Sequence, residues 1–141
     1  KKTMDEKIKI LKIIHLAITA GSALAYIFIG DISALQNFKV PEVNAGSIIF
    51  FALPLIAVFA STFMFKNILK QAKDIKTLED KFGVYQTASI VRLAILESAT
   101  FIILFLKQDF MLFGLLIILY MVFLSPTLDK MKNDFESVRL K

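Results

Sequence analysis

The chain has 141 residues, of which 57% are hydrophobic and 21% charged, and its mean hydropathy is +0.68; soluble domains are roughly 45–50% apolar. That surplus, with 14 Phe and neither Trp nor Cys, excludes a disordered chain, a disulfide-stapled secreted module and a cysteine-ligated metal site. What remains is an integral membrane protein, all-α, with a net charge of +5 to be placed.

A hydrocarbon core of roughly 30 Å needs about 20 apolar residues in a helix. Four stretches qualify, over about 10–29, 48–65, 85–106 and 110–125. Each must be helical, because an open strand edge in lipid leaves backbone groups unpaired. A secretory signal peptide is the rival reading for residues 1–30, which run Lys-rich, then apolar, then small. The apolar run is longer than a signal requires, and no clear cleavage site precedes Asp31.

The flanks orient the spans. Lys1, Lys2, Lys7, Lys9 and Lys12 precede the first or enter it; Lys66, Lys70, Lys73, Lys76 and Lys81 separate the second from the third; Lys130, Lys132, Arg139 and Lys141 follow the fourth. The other two connections carry only Lys39 and Lys107. Cationic loops stay in the cytoplasm, so both termini and the loop at 66–84 are expected inside, in the cytoplasmic (inner) membrane. The expected architecture is therefore one domain over 1–141, a polytopic antiparallel bundle of four transmembrane helices with amphipathic cytoplasmic segments. Its basic inner face implies anionic lipid headgroups as partners and no nucleic acid.

In chain order, the first span carries two specialised faces. His15, Thr19, Ser22 and Tyr26 fall in one narrow strip at about 100° per residue, with Lys12 at its inner end. Ala17, Gly21 and Ala25 occupy the opposite side as a small-xxx-small pattern, which allows close helix packing in lipid. Both faces are expected to touch protein, which puts this helix at the centre. The connection at 31–46 has Pro41 and Asn44-Ala45-Gly46 as turn signals. Pro54 removes a backbone donor within the second span and is expected to kink it, freeing a carbonyl near Phe50.

In the inner loop, Ile68, Leu69, Ala72, Ile75, Leu78 and Phe82 recur at helical spacing beside a Lys-rich face. Thr77 with Asp80 resembles a capping arrangement that would start the third helix well before the membrane, with Gly83 a weak point near its surface. Lys107-Gln108-Asp109 is a tight turn into a fourth span of bulky apolar residues and one Gly114, expected to be peripheral and lipid-facing. In the tail at 126–141, Ser125-Pro126 offers a cap and a first helical position. Leu128, Met131, Phe135 and Val138 then follow as the stripe of an interfacial amphipathic helix.

The third span holds the ionisable groups. Counting about 1.5 Å per residue from Tyr85, Arg92 lies roughly 10 Å in and Glu97 roughly 18 Å in, near the midplane. A charge placed there costs a few kcal/mol at least and is a functional candidate by default. Five residues apart, the two project about 140° from each other and are not expected to pair. Arg92 can snorkel to the inner surface; Glu97 is expected to be protonated or to find a partner on another helix or subunit. Gln86, Ser89 and Thr100 share its face within about 80°. The strip to meet it is that of His15, Thr19 and Ser22, with Ser22, Thr19 or Tyr26 level with Glu97, and with Arg92 or Gln86 near His15.

Ile14-His15-Leu16-Ala17-Ile18 aligns without gaps to Val91-Arg92-Leu93-Ala94-Ile95, a hint of a duplicated hairpin with Ala20 in the place of Glu97. From about 45 to 107, the helical hairpin, its polar loop and the carboxylate of Leu96-Glu97-Ser98-Ala99 resemble the proteolipid c subunit of rotary ATPases. The resemblance implies that Glu97 is a proton or sodium carrier. The chain departs from that family in its other helix, which is glycine-rich there and here has no Gly over 48–65, and in its two extra spans. The run Arg92-Leu93-Ala94-Ile95-Leu96-Glu97 is also similar to small four-span bacterial membrane proteins of unknown role.

With one His and no Cys, the chain lacks a zinc or haem ligand set, a nucleophile triad and a phosphate-binding glycine loop, so no enzyme, cofactor or metal is expected. The expected function is proton- or cation-linked transport or conduction centred on Glu97. Arg92 tunes it, and Gln86, Ser89, Thr100, His15, Thr19 and Ser22 form a polar path. The alternative is a non-catalytic accessory or scaffold subunit, in a homo-oligomer or with other membrane subunits, in which Glu97 and Arg92 pair with a partner chain.

Overall fold

A computed structural model describes residues 3–30, 42–106 and 108–139. Lys1, Lys2, Lys39, Pro41, Lys107 and Lys141 of the sequence pattern, with most of the 31–46 connection, lie outside them. The described residues form five α-helices and one 3-10 turn: α1 (Met4–Ile29), α2 (Ile48–Lys70), α3 (Leu78–Leu106), the turn Gln108–Phe110, α4 (Met111–Phe123) and α5 (Leu128–Arg139).

Local chemistry sets the ends. Thr3 and Glu6 form a reciprocal capping box at the start of α1, each side chain accepting from the other's backbone N–H. Asn44 Oδ1 accepts from the N–H groups of Gly46 and Ser47 ahead of α2. The Asp80 N–H bonds Thr77 Oγ1 at 3.1 Å, so α3 does begin seven residues before Tyr85. Gly83 does not interrupt it; a side chain there would meet open space.

At the tail the cap is Thr127, whose Oγ1 accepts from Lys130 N–H at 3.1 Å, and not Ser125. Ser125 lies just past the end of α4, its N–H bonded to Val122 O. Lys130 closes the corner, with Nζ donating to Phe123 O at 2.9 Å and Ser125 O at 2.8 Å, two carbonyls that the end of α4 leaves free.

The central helix is α3, packed against α1, α2 and α4. Contacts give the courses. Lys7 meets Glu79 and Tyr26 meets Thr100, so α1 runs alongside α3 in the same sense. Phe65 meets Tyr85 while the earlier Ala57 packs with the later Leu93 and Leu96, so α2 runs against it; His15 meets Met121 while Tyr26 meets Gly114, so α4 runs against α1.

Three apolar clusters stack along the helices. One, at the Lys-rich end, joins Ile8, Leu11, Phe65, Leu69, Phe82, Tyr85, Met131 and Phe135. The middle one is built around Leu93, Leu96, Ile103 and Phe110, and the third around Tyr26, Leu104, Met111 and Ile118.

The exterior is apolar as well: Phe28 is 81% exposed, Phe59 73%, Leu55 63% and Phe105 62%. Exposed apolar patches of this kind mark surfaces that meet lipid or another protein. Helices α1, α2 and α3 are each long and apolar enough to cross a membrane. The fourth expected span is shorter than its sequence run: α4 has 13 residues, and the chain bends by 98° into α5. Nor is α4 peripheral. Met111, Gly114, Ile117, Ile118 and Met121 are buried against α1 and α3, and only Leu116, Leu119, Val122 and Phe123 face outward.

The bend lays α5 across the Lys-rich end. Its stripe, expected to lie on lipid, packs on protein: Met131 and Phe135 are buried beside Leu69, Phe82 and Tyr85.

Candidate functional site

The polar strip of α1 is buried in full: His15, Thr19, Ser22 and Tyr26 all face the interior. Hydroxyl and imidazole groups cannot turn to hydrocarbon without losing their hydrogen bonds, and this decides which face of α1 meets α3 and α4.

At the level of Glu97, the Ser22 hydroxyl lies 3.5 Å from Glu97 Oε2 and 3.3 Å from Ile18 O of its own helix, two acceptors for one proton. Thr100 Oγ1 donates to the Glu97 carbonyl at 2.7 Å, and Tyr26 Oη donates to the Thr100 carbonyl at 2.6 Å. Gly114 makes room for that phenol: a Cβ on it would overlap the Tyr26 ring and hydroxyl. Glu97 itself is half-buried on the α1 side of α3. Among the described residues no cation pairs with it.

One level toward the Lys-rich end, His15 Nε2 lies 2.6 Å from Met121 O in the last turn of α4. A carbonyl only accepts, so Nε2 carries the proton in this bond. Nearby Thr19 Oγ1, Ser89 Oγ and Arg92 Nε are buried with no hydrogen-bond partner. The Arg92 guanidinium stacks 3.8 Å from the centroid of Phe65, a close cation–π contact.

At the Lys-rich end, Tyr85 Oη donates to Asp134 Oδ2 at 3.0 Å, joining α3 to α5. Burial holds the Asp134 carboxyl above the ordinary carboxylate range, against the opposing pull of the Tyr85 hydrogen bond and of Arg92, Lys130 and Lys66.

Among the predicted residues, Ser22, Glu97 and Thr100 come together, Tyr26 joins them, and His15, Thr19, Ser89 and Arg92 line the level below. Arg92 and Glu97 do not pair, as their spacing requires. Gln86 shares the α3 face of Glu97 but sits eleven residues away, roughly 16 Å along the helix, and among the described residues no hydrogen bond links it to the strip.

The small-residue face behaves otherwise. Ala17 and Gly21 are exposed, Ala25 is half-buried, and a side chain on Gly21 would meet nothing within 4 Å. The close helix approach expected there is not made among the described residues. Helix α1 has only one face to give to α3 and α4, and the polar strip takes it, so α3 and not α1 is the central helix.

The sequence reading missed Asp134, the acceptor carbonyl of Met121 and the role of Gly114. Asp134 had a signal: it falls within about 60° of Met131 and Val138, inside the apolar stripe of α5. Among the described residues no three His, Asp or Glu side chains converge to hold a metal ion. No protein-family model matches the chain, and no curated protein or solved structure is significantly similar to it.

Proposed function

We propose that the chain is a four-span protein of the cytoplasmic membrane, with both termini and the Lys-rich end inside, that carries out proton- or cation-linked transport or conduction at Glu97. The observation that carries this reading is that Glu97, deep in the apolar length of α3, meets a hydroxyl and, among the described residues, no cation. A carboxyl locked by an Arg or Lys would serve packing. One beside Ser22, with the unpartnered hydroxyls of Thr19 and Ser89 on the way to the Lys-rich end, can take up and pass on a proton. Arg92, held on Phe65, supplies a fixed positive potential along that path. The resemblance of Leu96-Glu97-Ser98-Ala99 to the c subunit site supports the same role.

The test is proton flux into liposomes holding the purified protein. Glu97→Gln is expected to abolish flux while leaving assembly intact. Unchanged flux in the variant, or none in the parent protein, contradicts the reading.

A second reading, an accessory or scaffold subunit, is favoured by one observation: Ala17 and Gly21 face outward, and none of the described helices covers them. On that reading Glu97→Gln changes oligomer size or co-purifying subunits and leaves flux untouched.

A further inference from the structure

At the Lys-rich end, α2, the turn after it, the start of α3 and the end of α5 enclose a groove of about 570 Å³. Its rim brings together Lys70, Lys73, Lys81 and Arg139, four cations from four different segments of the fold, against the single carboxylate of Asp74. Its floor is apolar, with Leu69, Ala72, Phe135 and Val138. Among the described residues none of the four cations is in an ion pair. Lys81 lies instead over the Phe135 ring, 5.2 Å from its centroid.

The position of the groove along the helices is what selects a ligand. Lys70 lies five residues beyond Phe65, and Lys81 four residues before Tyr85, so the rim stands roughly 6–8 Å outside the apolar spans. The headgroup layer of a bilayer occupies about that depth on each side. Four unpaired cations over an apolar floor at phosphate level match one phosphodiester with its glycerol and upper acyl carbons. A small hydrophilic anion would gain nothing from the floor, and a zwitterionic headgroup would bring its own cation into a ring of cations.

We infer that this groove is a specific site for the phosphate of an anionic phospholipid, which is more than the general attraction of a basic surface to an acidic leaflet. The inference rests on the membrane reading above and is independent of Glu97.

The test uses the full chain, purified in neutral detergent and titrated with phosphatidylglycerol or phosphatidylcholine, with bound lipid counted by native mass spectrometry. One phosphatidylglycerol per chain is expected to be retained, and phosphatidylcholine is not. Lys73→Gln with Arg139→Gln is expected to weaken that retention roughly tenfold to thirtyfold, from the attraction typical of two lost cations at an acidic surface. The control pair Lys9→Gln with Lys132→Gln removes equal charge from exposed positions outside the groove and is expected to leave retention unchanged; all four residues are exposed, so folding is not at stake. Equal loss in the control pair would reduce the effect to diffuse charge and overturn the site. Displacement of the lipid by millimolar glycerol phosphate would assign the groove to a soluble phosphate and overturn the lipid.

Discussion

The two faces of α1 were specialised in different ways and met different fates. The strip His15, Thr19, Ser22 and Tyr26 is buried against α3 and α4, while Ala17 and Gly21 look outward. Both patterns favour helix contact in a bilayer, one through hydrogen bonds and the other through close backbone approach. The difference teaches an order of priority. A hydroxyl or imidazole turned to an apolar exterior has no partner within reach, whereas a small residue there loses only packing. When one chain can cover a single face, the polar face is covered.

The contrast can be broken at several points. The largest effect is expected at Gly114, where the strip meets α4. Gly114→Ala places a methyl on the Tyr26 phenol and should cost about 1–3 kcal/mol of stability as an overpacked contact, read as a lower midpoint of unfolding in detergent. Removing the phenol hydroxyl should cost less: Tyr26→Phe loses the bond to the Thr100 carbonyl, about 0.5–1.5 kcal/mol. The double variant should show the two to be coupled, because both act on one contact.

The docking of α5 provides a pH test. The folded state raises the affinity of Asp134 for its proton, so the folded chain binds more protons there than the unfolded chain. The Asp134 contribution to stability is therefore full at low pH and lost as pH rises through the elevated value. The sign is that of a carboxyl whose desolvation outweighs its partners Tyr85, Arg92, Lys130 and Lys66. Limited proteolysis of α5 should become faster as pH rises, and Asp134→Asn should flatten that dependence. The smallest effect belongs to the outward face. Gly21→Ala meets open space, and its unfolding midpoint should stay within about 0.5 kcal/mol of the parent. A drop as large as that of Gly114→Ala would mean that another chain covers this face.

Much of the site was legible before the fold. The rise per residue and the shared course of α1 and α3 put Ser22, Thr19 or Tyr26 level with Glu97; Ser22 is the one that reaches its carboxylate, while Tyr26 goes to the Thr100 carbonyl, a partner the sequence did not name. The early start of α3 followed from Thr77 and Asp80 in the same way. What was not legible depended on choosing between equivalent surfaces. An amphipathic stripe such as Leu128, Met131, Phe135 and Val138 shows that α5 covers something apolar, but lipid and protein satisfy it alike. The 98° bend that brings α5 onto Leu69 and Phe82 arises at a corner closed by Lys130, whose reach to two main-chain carbonyls leaves no pattern in sequence. Asp134 was passed over for a related reason: a carboxylate inside a stripe reads as solvated until Tyr85 is placed opposite it.

The central claim is that Glu97 takes up and releases a proton in the membrane. Its most direct test is infrared difference spectroscopy of the protein in liposomes, with Glu97→Gln as the assignment control. The expected result is a carboxylic-acid carbonyl band that changes when a proton gradient is imposed across the liposome membrane and that is missing from the variant. A spectrum with no band distinguishing the parent from Glu97→Gln at any pH would contradict the account.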